Sequence, residues 1–362
     1  MTIATAIAVT PGKPDTLHRI QLDVPDPGPG EVLIDVIRCG ICGTDREVAA
    51  GHDGSSPEGK SEIVLGHEML GRVAKVGDGV SQFAPGDLVT ATVRRPDGCP
   101  CCQAGQMDMC LWHQYKEHGI HGLNGYLASQ VIVHAEYVIP VPPQLEATGV
   151  LTEPLTVVEK AVRQAELIQR RMAVWEPKTA LVTGAGPIGI LGTLLLRSKG
   201  IEVYTTARTS APTRASQVVE SAGAHYVSTR DESIADLATR LGNVDIILES
   251  TGASEVAFEA MQALGINGVL VLLSIGDRSV TADVPVGQIN HGLVTGNKVV
   301  VGSVNANHED WAAAAARLET FETLWPGLTE SIITNRVPID GDISVILNEP
   351  HDAIKTVIEF GK

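Results

Sequence analysis

The sequence predicts an α/β protein in two parts, a β-rich N-terminal domain followed by a doubly wound parallel sheet, and three observations carry that prediction. At 362 residues the chain exceeds the size at which one hydrophobic core usually keeps growing, so two domains are expected. Up to about residue 150 the apolar runs are short and broken by Gly and Pro, whereas later runs are continuous and alternate with helical patterns. A glycine-rich turn, "GAGPIG", joins one of those later strands directly to a helix.

The opening "MTIATAIAVTPGKPD" alternates like an edge strand and lacks the basic region and long apolar run of a signal peptide. The runs "EVLIDVIRCGICG", "GRVAKVG", "GDLVTATV", "YLASQVIV" and "YVIPVP" read as strands whose spacing suits a barrel or sandwich. Residues 151–168 carry a helical pattern. In "TALVTGAGPIGILGTLLLRSKG" an apolar strand, a turn and an apolar helix follow one another, and "IEVYTTA" is a second strand. The runs "VDIILEST" and "GVLVLLSIG" are apolar throughout, as in strands buried on both faces. Alternating strands and helices argue for a parallel sheet. Beyond Asn305 the stretch "HEDWAAAAARLETF" is helical and leads to a final strand and helix ending "HDAIKTVIEFGK".

Composition narrows the function. A net charge of −16 opposes binding to nucleic acid or to anionic membranes, both of which call for clustered Lys and Arg. No stretch reaches the roughly 18 uninterrupted apolar residues of a membrane span. A cytoplasmic location is expected, and there clustered cysteines bind metal more often than they form disulfides. Four of the six cysteines crowd into "CPCCQAGQMDMC", Cys99 to Cys110, as a metal site, a set of free thiols or a redox disulfide.

The glycine turn places Gly184, Gly186 and Gly189 in G-x-G-x-x-G around Pro187 and Ile188. The first glycine permits the tight turn, the second lets backbone approach a pyrophosphate, and the third lets the helix pack on its strand. Exposed N–H groups at the helix N-terminus then face the phosphates. An NAD site carries an acidic residue at the end of the second strand to accept from the ribose 2′-OH. Ala207 stands there, followed by Arg208 and Thr209, so nothing repels a 2′-phosphate and a guanidinium is at hand to bind one. NADP is therefore expected in preference to NAD.

Three stretches carry candidate metal ligands: "GICGTDRE" with Cys42 and Thr44, "LGHEMLG" with His67 and Glu68, and "TEPLTVVEK" with Glu153 and Glu159. Thiolate, imidazole and carboxylate suit zinc, and three protein ligands leave a position open for substrate or water.

On "GICGTDRE", "VLGHE", "RRP", "GIHGLNGY", "EPLTVVEK", "GAGPIG" and "NKVVVGSVN", the chain resembles from end to end the zinc-dependent medium-chain dehydrogenases/reductases, closest to the archaeal-type glucose 1-dehydrogenases. The resemblance implies a GroES-like catalytic domain over residues 1–160, a Rossmann domain over 161–305, and a segment over 306–362 that returns to the first. It implies that Cys42, His67 and Glu153 hold a catalytic zinc, with Glu68 a ligand in some states or a supporting group. It further implies that Thr44 bonds the reacting hydroxyl, that Glu117, Glu153 and Asn305 contact the sugar, and that Asn305 also borders the cofactor. An acidic sugar-contacting position of the family falls on Val157 here, and one occupied by His in many relatives is Glu47.

Members of that family often carry a four-cysteine lobe spaced C-x2-C-x2-C-x7-C that binds a structural zinc. Cys99, Cys102 and Cys110 match its last three positions, while the first falls on Pro96. The fourth ligand is then the additional Cys101, or Asp97, or the site is lost. Cys39 reads as core, and His113, His118 and His121 receive no metal role. The expected reaction is oxidation of the C1 hydroxyl of an aldose to the lactone with NADP by a homodimer or homotetramer. The alternatives are a polyol or secondary-alcohol dehydrogenase and a non-catalytic NADP-binding protein.

Overall fold

The computed structural model describes residues 2–276 and 279–360, and the chain divides into two compact units. The first comprises Met1–Glu153, Ala306–Glu319 and Ile333–Lys362, and the second Pro154–Asn305 and Thr320–Ile332. The division thus falls seven residues before the expected boundary at 160. The C-terminal return is also interrupted, because residues 320–332 group with the second unit.

The first unit is β-rich. Its main sheet has seven strands, in the order Val138–Pro140, Leu88–Ala91, Glu68–Val76, Glu31–Ile41, Lys355–Glu359 and Ile333–Pro338, with Gln130–His134 also paired to Glu31–Ile41. Glu31–Ile41 is its hub, and register shifts at Leu33/Ile34 and Val36/Arg38 mark bulges that bend it. Val32, Ile34, Met69, Val73, Val89 and Ile358 from these strands fill the core. Two expectations are corrected here. Thr2–Val9 is not an edge strand, since it pairs on both sides, with His18–Val24 and with Ile63–Val64. The expected C-terminal helix is the strand Lys355–Glu359, in which Val357 and Ile358 are wholly buried between two neighbouring strands.

The second unit holds a six-stranded all-parallel sheet in the order His225–Ser228, Glu202–Ala207, Thr179–Thr183, Ile246–Glu249, Val269–Leu272 and Val299–Gly302. The order reverses at Thr179–Thr183, the arrangement of a dinucleotide-binding sheet. Leu181, Val182, Ile247, Leu248 and Leu270 are fully or almost fully buried, which explains their uninterrupted apolar runs. The helix Pro187–Ser198 packs a wholly buried face of Ile190, Leu191, Leu194 and Leu195, where truncation to Ala costs about 2–5 kcal/mol per side chain.

Candidate metal centre and cofactor turn

Cys42 caps the short helix Gly43–Ala49 where the hub strand ends. Three residues on, the fully buried Asp45 binds two segments at once. Its Oδ2 accepts from the Cys42 N–H at 2.9 Å and its Oδ1 from the Gly66 N–H at 3.0 Å, and Oδ1 also stands 3.6 Å from His67 Nδ1. His67 is thereby set with Nε2 3.1 Å from Cys42 Sγ. Gly66 must be glycine: its φ is +89°, and a Cβ there would meet the Leu127 side chain at 2.6 Å and Cys39 Sγ at 2.9 Å. Cys39 is core, as expected.

Glu68, beside His67, opens the strand Glu68–Val76 and is ion-paired with Lys355, both nearly inaccessible. The hub strand sets this pair, since Gly40 lies opposite Glu68 on one side and Ile41 opposite Thr356 on the other. A Cβ on Gly40 would collide with Glu68 Oε2 and Lys355 Cε, so its missing side chain makes room for the ion pair. Glu153, in the first turn of the helix Thr152–Gln169, completes the group: ligand atoms of His67, Glu68 and Glu153 lie within 4.8 Å of one another, as do those of Cys42, Asp45 and His67. Glu159 belongs to neither group.

Burial pushes the Glu153 carboxyl up to about 7, against the pull of His67 and Lys355. For His67 burial disfavours the cation, but Cys42 and Asp45 outweigh it and hold the imidazole pKa well above its ordinary value. The two groups share His67, and Lys355 is paired to one of them through Glu68. Sulfur, nitrogen and oxygen donors gathered this closely fit zinc.

A second group gathers Asp97, Cys99, Cys102 and Cys110 within 4.8 Å. Cys110 Sγ is 2.8 Å and Cys102 Sγ 3.5 Å from Asp97 oxygens, and the Cys99 and Cys110 sulfurs are 3.9 Å apart. Of the two candidates for a fourth ligand, Asp97 lies in the group and Cys101 does not. Burial raises the Cys99 thiol, yet backbone N–H groups of Leu111 and Cys102, 3.3 and 3.5 Å from its sulfur, outweigh it and favour the thiolate. Burial pushes Cys102 up to about 12. Acidic donors held this close suit a closed metal site.

In the second unit the glycine turn has the expected form. Gly184 has φ +100°, and a Cβ on Gly189 would overlap the Gly184 carbonyl oxygen, so both are required by the fold. Gly186, the N-cap of Pro187–Ser198, is different: a Cβ there meets nothing, so the fold itself does not require a glycine at this position. Ile188 lies in the first turn of that helix. The second strand ends at Ala207, and Arg208 and Thr209 are exposed beyond it.

Among the remaining sequence candidates, Glu117 is buried and ion-paired with Arg94 at 3.0 Å. Asn305 has φ +59°, and the preceding Val304 carbonyl accepts from the buried Lys160 Nζ at 2.7 Å. Thr44 is half-buried in the first turn after Cys42. His118 stacks on Tyr126, and burial followed by the Arg95 charge lowers its pKa to about 3. His121 faces Asp53 at 3.6 Å and His113 packs by Tyr115, and neither joins a ligand group among the described residues. Sequence reasoning missed Asp45 and Lys355. Asp45 was within reach, because an acidic residue three positions after an N-cap is a capping-box spacing. Lys355 left no local trace.

Comparison with known proteins shows the family to which the chain belongs. Residues 28–143 match the alcohol dehydrogenase GroES-like domain and residues 146–360 the glucose dehydrogenase C-terminus. The chain is 41% identical over 358 residues to a glucose 1-dehydrogenase of Methanocella arvoryzae, covering 98% of this chain and 99% of that one. It is 37% identical over 355 residues to a glucose 1-dehydrogenase of Thermoproteus tenax, covering 98% and 99%. Among solved structures, the Haloferax mediterranei glucose dehydrogenase in complex with NADP, Zn and gluconolactone superposes with a TM-score of 0.89 at 33% identity, covering 99% of each chain.

Proposed function

The chain belongs to the glucose dehydrogenase family of zinc-dependent medium-chain dehydrogenases, and from that premise we propose a division of labour among its residues. The protein is an NADP- and zinc-dependent oxidoreductase that oxidises the C1 hydroxyl of glucose or a related aldose to the lactone. Cys42, His67 and Glu153 hold the catalytic zinc. The gathering of sulfur, imidazole and carboxylate donors in two groups that share His67 is the observation that carries the assignment.

When bound, zinc supplies a Lewis acid that lowers the pKa of the C1 hydroxyl, and NADP takes the hydride. The protein's own part is placement. Asp45 locks Cys42 and His67 in register through its two oxygens. Lys355 neutralises Glu68 and draws that carboxylate to its own side. Thr44 accepts from the C1 hydroxyl, while Glu117, Glu153 and Asn305 pair with the other hydroxyls, because polyol recognition rests on buried partners that penalise a missing group. Gly184, Gly186, Pro187, Ile188 and Gly189 present the helix N-terminus to the pyrophosphate, and Arg208 with Thr209 binds the 2′-phosphate where Ala207 leaves no carboxylate. Asn305 borders the cofactor as well. Asp97, Cys99, Cys102 and Cys110 hold a second, structural zinc.

A panel of aldoses and polyols assayed with both cofactors tests the reading. Lactone formation with NADP supports it, and ketose formation from a polyol at greater kcat/KM overturns it in favour of a polyol dehydrogenase.

We also place the protein in the cytoplasm as a homodimer or homotetramer. Among the described residues no helix is long and apolar enough to cross a membrane and no two cysteines form a disulfide, and clustered cysteines without disulfides suit a reducing compartment. The strand Val299–Gly302 ends the parallel sheet, and Val286 and Val294 of the helix Val286–Thr295 are about 70% exposed, surface that a second copy would cover. Light scattering of the purified protein reads the oligomer directly.

A further inference from the structure

Arg94 stands between the cysteine lobe and Glu117, and only 3% of its side chain is accessible. The short strand Arg94–Arg95 pairs antiparallel with Lys116–His118 and puts Arg94 directly opposite Glu117. Its Nε and Nη2 each lie 3.0 Å from Glu117 Oε1. The rest of the guanidinium belongs to the lobe. Nη1 donates to the Met107 carbonyl at 3.3 Å, in the turn between Cys102 and Cys110, and Cζ sits 3.6 Å from the centroid of the Tyr115 ring. Both Met107 and Tyr115 pack in the cluster formed by Cys99, Cys102 and Cys110.

A guanidinium is a rigid planar fork, so contacts at its far end fix the direction of the bonds at its near end. Glu117 is 8% exposed, and turning its carboxylate away would strand a buried charge on each side. Hydrogen bonds to sugar hydroxyls are directional, and a carboxylate held in one orientation selects among hydroxyl patterns. We propose that Arg94 is a positioning residue through which the folded cysteine lobe sets the orientation of Glu117, and thereby the affinity for the sugar. This rests on the reading of Glu117 as a sugar contact. It gives the lobe a task at the substrate besides stabilising its own loop.

The test is equilibrium titration of D-glucose into the enzyme–NADPH complex, read by NADPH fluorescence, for wild type, Arg94→Lys, Tyr115→Leu, Glu117→Gln and the Arg94→Lys/Glu117→Gln double variant. Melting temperature, zinc content and NADPH affinity are measured alongside. Lysine keeps the charge but loses the fork and the stack, so Arg94→Lys should weaken glucose by about 3- to 10-fold, with zinc content and NADPH affinity unchanged. Tyr115→Leu should shift glucose binding in the same direction and by less, and it decides the matter if Arg94→Lys does not fold. Glu117→Gln should weaken glucose by about tenfold or more, and the double variant should match it within about twofold, because Arg94 acts only through Glu117. Fully additive effects, or a fall in melting temperature with glucose affinity intact in Arg94→Lys and Tyr115→Leu, overturn the proposal. If Glu117→Gln binds glucose normally, the assignment of Glu117 to the sugar falls first and the coupling falls with it.

Discussion

Cys110 Sγ lies 2.8 Å from Asp97 Oδ2, which brings a carboxylate among the three sulfurs of Cys99, Cys102 and Cys110. The same carboxylate accepts from the backbone N–H of Cys99 and of Gln114, which fixes it at the centre of the loop. With zinc in both centres, the protein should carry about two ions per chain, and Asp97→Ala should carry about one and melt at lower temperature, because structural zinc contributes directly to folding. Cys101→Ser should leave both unchanged. Elemental analysis and thermal denaturation check the pair, and loss of zinc from Cys101→Ser would contradict the ligand assignment.

Asp45 ties Cys42 to the loop carrying His67. Cys42→Ala or His67→Ala should abolish nearly all turnover while cofactor binding persists, since the glycine turn lies in the other unit. Asp45→Asn should keep the fold and weaken the catalytic zinc by about 10- to 100-fold, as supporting hydrogen bonds to metal ligands do. Competition with a chelator, followed by zinc analysis, separates Asp45→Asn from the ligand variants.

Two glycines of one turn should respond in opposite ways. Gly189→Ala forces a Cβ into the Gly184 carbonyl and should lower the melting temperature with or without cofactor. Gly186→Ala meets nothing and has an ordinary extended backbone, φ −80° and ψ −175°, so apoprotein stability should hold while NADP affinity falls. Thermal melts with and without NADP distinguish them. A Gly186→Ala variant that binds NADP normally would remove the turn from the cofactor site.

Cofactor choice should turn on Ala207 and Arg208. The second strand ends at Ala207 without an acidic group, and Arg208 is exposed just beyond it. Water there screens the interaction, so Arg208→Ala should weaken NADP by roughly 10- to 50-fold and leave NAD nearly unchanged. Ala207→Asp should move preference toward NAD by adding an acceptor for the 2′-OH and a charge that repels phosphate. The values of kcat/KM for both cofactors decide it, and an Arg208→Ala variant that loses both equally would contradict the assignment.

Local features were legible in the sequence, and features assembled from remote segments were not. The turn from Gly184 to Gly189 could be read because strand, glycines and helix are contiguous. The pairing of Cys42 with His67 could be expected only through resemblance, since the two lie 25 positions apart. Lys355 falls in the stretch expected to form the final helix. It lies instead in a strand between two others, where the environment comes from Glu68 and Gly40 rather than from its neighbours in sequence. Asp97 was one of several open choices because spacing counts cysteines and cannot show which side chain points inward.

The insertion of Lys355–Glu359 between the hub strand and Ile333–Pro338 has a consequence for synthesis. Ile41 waits for its partner Thr356 while roughly 300 residues emerge, about 15–60 s at about 5–20 residues per second on the ribosome. Through that interval residues 38–41 of the hub strand lack their partner on one side, and Glu68 lacks Lys355. The first unit therefore completes its sheet only after the second has been translated. A chain that stops a dozen residues early loses the innermost lysine of its metal centre as well as its tail.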